Sequence, residues 1–357
     1  LVVLGSSKGW FRPYLRVYSP VMDVPEARVI TPTEARAARS HAQWLDGRSG
    51  DGPLDVAQHM LAVQAQNYGA ARKALSMRSG RGHTTTEVDA ALTNGDLIRT
   101  WPMRGTHHIM AAADVRWLTE LCGKRALGGV EKRREGLGLS LPEVSLISSL
   151  IIDTTTDTAA ERDGAVELGN GHSALTRDGV KTLMTEAGVD PDGGRSSHIL
   201  RYLCQMMELV QGPGETFTAF DNWVPESKSP DAPMVHLVER HLAARAPATV
   251  ADIAWWSGQT QTAVKKAVAE AAVGEVTMNG VEYLVPEGWE PAGKATGTLQ
   301  LPAFDEYLMG YKDRTLAVDP MHTPVVGPTK NGLVAPVVVR DGVVIATWKG
   351  DDITYLE

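Results

Sequence analysis

The sequence is poor in cysteine, in long apolar runs and in net positive charge. Its two cysteines among 357 residues, Cys122 and Cys204, lie far apart and outside any Cys-x-x-Cys frame. That excludes a four-cysteine zinc or iron–sulfur site and a disulfide framework, and a reducing cytoplasm is the expected compartment. No spacing of His, Cys and carboxylates makes a ligand set, so neither metal nor cofactor is expected. No span is apolar for long enough to cross a bilayer. The stretch Leu1 to Tyr18 is broken by Gly5, Lys8, Gly9, Arg12 and Pro13, which leaves no continuous leader-like core. A soluble protein without a membrane partner is expected. The net charge is −8. A basic domain is the usual footprint of nucleic-acid binding, so this balance speaks against indiscriminate binding while leaving room for a local basic groove. Positive charge gathers at Lys124-Arg125 and Lys132-Arg133-Arg134, which read equally well as solvated helix faces.

What is present is a repeated plan. Met234 to Ala246 has helical apolar spacing, Thr249 can cap a helix from Val250 to Trp256, and Thr260 or Thr262 can start another through Ala263 to Ala272. Glu275 to Val285 then alternates on both sides of Asn279-Gly280, a hairpin signal. Helix, short helix, helix and hairpin is the winged-helix order. A second copy runs from Ser173 to Asp221. Thr176 heads one helix, Ser196 or Ser197 caps the next, and a wing forms around Gly212-Pro213-Gly214. A first, longer copy has helices over Thr33 to Leu45, Leu54 to Val63 and Thr86 to Leu92. Its hairpin pairs Leu97–Trp101 with Thr106–Met110 across Pro102 to Gly105. Beyond a Gly/Pro/Ala linker from Trp289 to Gly297, short strands over Thr298–Leu301, Val334–Arg340 and Val343–Trp348 suggest a small β-barrel or sheet, with Asp341-Gly342 as a turn. The expected class is α+β: an N-terminal segment 1–28, three tandem winged-helix motifs at 29–135, 136–233 and 234–292, and a C-terminal β-barrel at 293–357. Such a chain suffices as a monomer. Leu1 to Arg28 carries no clear pattern, and Glu161 to Gly171 reads as a loop.

Gln64 and Gln66 flank Ala65 directly after the apolar Met60-Leu61-Ala62-Val63. In an extended chain alternate residues share a side, and each carboxamide offers two donors and an acceptor. Together they can grip one water or one nucleobase edge. As plain structure, they would be half-exposed amides capping backbone groups.

Four segments carry a family resemblance: Val63-Gln64-Ala65-Gln66, Arg99 through His108, Ala254-Trp255-Trp256-Ser257-Gly258, and Leu301 through Arg314. The chain resembles the AlkZ/YcaQ-like winged-helix DNA glycosylases over most of its length. The resemblance implies three tandem winged-helix motifs with a C-terminal barrel, duplex DNA as the partner, and Gln64 and Gln66 as the catalytic pair. Gln-x-Gln rather than Gln-x-Asp places it nearer the AlkZ branch. Pro102 departs from the aliphatic residue expected there and would tighten the wing.

Glutamine cannot transfer a proton, but it can hold a water in line with the anomeric carbon and set carbonyl dipoles near developing positive charge. That suffices when the leaving group is already activated. A guanine alkylated at N7 is cationic and leaves as a neutral base. The implied activity is therefore monofunctional hydrolysis of N7-alkylated purines, which the resemblance extends to N7-linked crosslinks. The rival from another class is a non-catalytic winged-helix DNA-binding protein or regulator, indifferent to the two glutamines. Arg99 and Arg104 are expected on phosphates beside the first wing, with Thr106, His107 and His108 along the same strand. The two histidines face opposite ways on a strand, so one is expected in the core and the other in the groove. Lys312 and Arg314 are candidate DNA contacts, or else pair with Asp305 and Asp313 to fix the C-terminal domain. Trp255 and Trp256 read as core and interface aromatics.

Overall fold

The computed structural model describes residues 28–156, 162–292 and 297–357. Expectations for Leu1 to Ala27, for Glu161 and for part of the Trp289–Gly297 linker lie outside these. Among the described residues no single helix is long and apolar enough to cross a membrane.

The first run opens with the helix Pro53–Met60. Leu61, with a φ of 62°, stops it, so Val63 belongs to the two-residue strand Val63–Gln64 rather than to the helix the sequence suggested. Asn67 then caps the helix Tyr68–Arg78 by accepting from the Ala70 N–H. This helix is absent from the sequence expectation, although Ala71, Ala74, Leu75 and Arg78 bury one helical stripe. Glu87 reaches back to the Thr84 N–H at the start of Thr85–Asn94, and Gly95 ends it in the left-handed region. The strands Leu97–Met103 and Thr106–Ala111 follow. Their turn is the two-residue Arg104-Gly105, with φ of 52° and 71°, not the four-residue loop expected. Pro102 has no N–H to give the ladder, and the register shifts between Thr100 and Met103.

Two helices unassigned from sequence come next, Ala112–Gly136 and Leu141–Thr156. The second run places Arg177–Glu186 behind the Thr176 cap, then Arg195–Gln205. The latter starts at Gly194, not at Ser196 or Ser197, because the chain enters the helix through two left-handed residues, Gly193 and Gly194, which glycine adopts without strain. The supposed loop before it contains the strand Ala165–Glu167, paired with Ser173–Leu175. Its ladder is set by backbone hydrogen bonds and needs no apolar alternation, since Glu167 and Val166 stay exposed. Both runs contribute to one antiparallel seven-stranded sheet. Its order is Val63–Gln64, Thr106–Ala111, Leu97–Met103, Leu209–Gln211, Phe217–Ala219, Ser173–Leu175 and Ala165–Glu167. The two halves join at the Arg99–Gln211 pair.

The third run matches its sequence reading most closely. Thr249 and Asp252 form a reciprocal cap on Val250–Ser257, Gly258 stops that helix, and Asn279-Gly280 turns between Val273–Met278 and Val281–Pro286. The helix before the hairpin is shorter than expected, Gln261–Val268. A third strand comes from far away in the chain: Arg28–Val29 pairs in parallel with Val276–Thr277. The helix Pro32–Ala42 follows that strand, and Arg39 Nε donates to the Pro247 carbonyl. This helix therefore packs with the third run, against the expectation that placed it in the first.

The C-terminal residues form a four-stranded antiparallel sheet, Thr298–Leu301, Val337–Arg340, Val343–Lys349 and Asp352–Tyr355. Among the described residues it does not close into the expected barrel. Four strands are too few to enclose side chains, which takes roughly eight. One face instead covers Phe304, Tyr307, Leu308 and Met309. Two buried ion pairs lock this part to the rest: Arg78 meets both Asp305 oxygens at 2.7 and 2.9 Å, and Arg245 meets Glu306 at 2.7 Å.

Candidate active site

The Gln64-Ala65-Gln66 segment is pinned through its backbone. Gln64 pairs with His108 in the sheet, and its N–H donates to Glu306 Oε1 at 2.9 Å. The Ala65 N–H donates to the His107 carbonyl at 2.7 Å. The Ala65 carbonyl accepts from Arg99 Nε and Nη2 at 3.2 and 3.0 Å. Ala65 is fully buried, so its side chain faces the core and the glutamines emerge on the other side. Gln64 is 5 % exposed and Gln66 is exposed. Gln64 Oε1 accepts from Arg104 Nη2 at 3.1 Å; Gln66 Oε1 takes a longer bond, 3.4 Å, from the His107 N–H. Among the described residues no acceptor takes the amide hydrogens of Gln64.

Arg104 sits at the hairpin tip and turns its guanidinium inward. The same Nη2 also meets His108 Nε2 at 3.2 Å, and the planar group lies 4.7 Å from the centre of the Trp255 ring. Burial pulls the Arg104 pKa down to about 10, with Glu306 opposing. His108 is fully buried and held well below its ordinary pKa by burial and then by Arg104. Its partners fix its tautomer. Nδ1 faces the Thr106 carbonyl at 3.0 Å, which only accepts, and Nε2 faces a guanidinium, which only donates. The imidazole is therefore neutral with its proton on Nδ1.

Of the remaining sequence candidates, Arg99, the Thr106 hydroxyl and both histidines are turned inward. Arg99 is 7 % exposed. It is committed to the Ala65 carbonyl, to Gln211 at 3.3 Å and to Glu215, so it braces the glutamine segment from within instead of presenting a free cation to phosphate. His107 and His108 do face opposite ways, but neither opens onto a groove. His107 stacks on Trp101 with ring centres 3.8 Å apart, and neither ring nitrogen has a hydrogen-bond partner among the described residues. Burial, then Arg99 and Arg177, pushes its pKa down to about 2. The Thr106 hydroxyl is buried as well. Lys312 is exposed and lines a cleft of about 680 Å³ with Arg39, Asp252, Lys265 and Tyr283. Arg314 lies 4.9 Å from the Trp255 ring and donates to the Leu308 carbonyl at 2.7 Å. Of the proposed ion pairs, Asp305 finds Arg78 rather than Lys312 or Arg314.

Glu306 has no role assigned to it by the sequence alone. It is fully buried and accepts from the Gln64 N–H, Arg245 Nε and Nη2, and the Trp256 indole at 3.0 Å. With every oxygen engaged, this carboxylate is a structural hub and not a free general acid or base. Its signal was a charge inside an apolar stretch, Glu306-Tyr307-Leu308-Met309, where an unpaired carboxylate would be costly. Arg245, in a helix of mostly apolar buried residues, is the matching signal.

At this site an extended amide pair is held by an arginine, a neutral histidine and a buried carboxylate, with an aromatic platform from the third run. The chain is 25 % identical over 337 residues to an interstrand DNA cross-link repair glycosylase of Streptomyces sahachiroi, covering 88 % of this chain and 86 % of that protein. The solved structure of the Streptomyces sahachiroi DNA glycosylase AlkZ has the same fold, with a TM-score of 0.72, 23 % identity, and 92 % of this chain and 91 % of that chain covered. The model of the DNA glycosylase AlkZ-like family matches residues 57–352. The chain belongs to the AlkZ-like family of DNA glycosylases.

Proposed function

We propose that this glycosylase hydrolyses the N-glycosidic bond of N7-alkylated purines, including N7-linked crosslinks between strands, and that Gln64 and Gln66 position the attacking water. The observation that carries this is the chemistry of the groups at the glutamine segment. They are two carboxamides, a guanidinium, and a histidine held neutral. The carboxylate that touches the segment, Glu306, accepts from the Gln64 N–H at one oxygen and from Arg245 and Trp256 at the other. Such a set is suited to a leaving group that departs without a proton, and a purine made cationic at N7 is one.

Amides contribute by orientation. Arg104 holds the Gln64 carbonyl by one lone pair, leaving the second lone pair and the NH₂ group to fix a water. Holding a nucleophile in line removes orientational entropy from the barrier. The run of helices ending in hairpins fits three winged-helix units, and the first hairpin places its tip, Arg104-Gly105, beside the amides. The crosslink assignment draws on the name of the Streptomyces relative. The test is base release from a duplex with one 7-methylguanine, beside a duplex with an N7-linked crosslink, for wild type, Gln64→Ala and Gln66→Ala. Abasic product from wild type and loss in both folded variants is expected. Full excision by both variants would remove the amides from the mechanism, and tight binding without product would favour a non-catalytic DNA-binding protein.

A further inference from the structure

Among the described residues the Gln64 carboxamide is oriented by a single side chain, and that side chain is held by residues from two other parts of the chain. Arg104 Nη2 is 3.1 Å from Gln64 Oε1 and 3.2 Å from His108 Nε2. Arg104 and Arg314 both lie on the Trp255 ring, at 4.7 and 4.9 Å. Trp255 belongs to the helix Val250–Ser257 of the third run, and Arg314 is anchored on the Leu308 carbonyl of the C-terminal part. Gly258, directly after that helix, lies against the Arg104 stem: a Cβ there would come within 3.4 Å of its Cγ. The first hairpin, the third helix set and the C-terminal segment therefore converge on one guanidinium.

We infer that Arg104 is a positioning residue for base excision, which sets the amide of Gln64 through a platform made by Trp255 and Arg314, rather than a residue that grips the DNA backbone. The inference rests on the glycosylase reading above. An arginine has only donors, so its bond to Gln64 forces the carbonyl inward and the NH₂ outward. Without it the carboxamide can flip, and a water set by one end of the amide meets the other. His108 is the second acceptor, neutral and fixed at Nδ1 by the Thr106 carbonyl, so Nη2 of the guanidinium is located by two acceptors. Stacking on an indole suits a planar, weakly hydrated cation and would not be reproduced by an ammonium.

The two roles differ in what they move. A phosphate contact adds about 0.9 to the slope of log affinity against log salt; a positioning contact leaves affinity alone and acts on the rate at saturation. The experiment measures single-turnover release of 7-methylguanine at saturating enzyme, and duplex affinity from about 50 to 200 mM salt. The proteins are wild type, Arg104→Met, Arg104→Lys, Gln64→Ala and the Gln64→Ala/Arg104→Met double variant. A charge-assisted hydrogen bond lost in the transition state corresponds to about a 10- to 100-fold slower saturated rate for Arg104→Met. Affinity and salt slope are expected unchanged, with Arg104→Lys restoring little. The double variant is expected to be no slower than Gln64→Ala alone, because the arginine acts only through that amide. If Arg104→Met does not fold, Trp255→Leu keeps both side chains and removes the platform, and it must show the same loss of rate at unchanged affinity. A drop in affinity with a shallower salt slope and a normal saturated rate overturns the inference, as does an additive double variant. A wild-type protein that releases no base fails the glycosylase reading itself and takes this inference with it.

Discussion

The carboxyl group of Glu306 accepts the backbone N–H of Gln64 at 2.9 Å across 242 residues of chain. The same carboxylate neutralises Arg245, which donates on to the Met60 and Ala62 carbonyls at 3.0 Å. The short strand bearing the amides is thus shaped by a buried ion pair. Breaking such a pair from one side leaves an uncompensated charge and costs about 3–5 kcal/mol. Glu306→Ala should lower unfolding free energy in urea by about that amount, and a loss under 1 kcal/mol would show that Arg245 readily finds another partner.

Arg99 should behave as a brace. Arg99→Met removes two hydrogen bonds to the Ala65 carbonyl and leaves that acceptor short of a partner, a cost of about 1–3 kcal/mol. The expected outcome is a lower melting temperature and slower base release, with the salt dependence of DNA binding unchanged. A slope reduced by about 0.9 would make it a phosphate contact after all.

Stability should fall on mild acidification. His107 and His108 have folded pKa values depressed from the ordinary 6.5, His107 to about 2 and His108 well below. Their unfolded forms take up protons first, so the stability tied to their neutral state is complete above about pH 6.5 and is lost as pH drops towards the folded values. At pH 5.5 His107 contributes a loss on the order of 1 kcal/mol, and His108 acts in the same direction. His107→Phe keeps a ring on Trp101 and should flatten the fall in melting temperature between pH 7 and 5; an unaltered slope would shift the effect to other groups, such as His59 and His198, both depressed to about 4.

Base release should be insensitive to pH in the neutral range. Burial and Arg104 hold His108 neutral, its pKa well below the ordinary value, and Arg104 loses its proton only near 10. The ratio of enzymatic to spontaneous release of an N7-alkylpurine is expected to stay level between about pH 6 and 9, because no essential group at the site titrates there. A bell-shaped ratio would reveal an acid–base pair that the present assignment lacks.

The sequence disclosed this architecture unevenly. Thr249, Gly258 and Asn279-Gly280 carry their backbone geometry in their own chemistry, and the third run was legible for that reason. The helix Ala112–Gly136 was not, because its buried residues Val115, Trp117, Leu118 and Cys122 give way to a charged half with little amphipathic contrast. The amide pair was visible as an extended i, i+2 motif. Its supports were not, since Arg99, His108 and Glu306 become recognisable only once sheet register and distant ion pairs bring them together. A cationic side chain near a nucleic-acid motif invites assignment to phosphate; Arg99 is instead buried and committed to the Ala65 carbonyl, Gln211 and Glu215.

The parallel strand Arg28–Val29 and the helix Pro32–Ala42 have consequences for how the molecule is made. Arg39 finds the Pro247 carbonyl 208 residues downstream, and Val29 finds Thr277 later still. At translation speeds of about 5–20 residues per second, this leading segment waits on the order of 10 to 40 s for its docking surface to emerge. During that interval Ile30 and Ala35, buried in the finished protein, have no native cover. The first and second runs share a sheet that does not include this arm, so the arm is clasped only when the third run, emerging after both, supplies Val276 and Thr277.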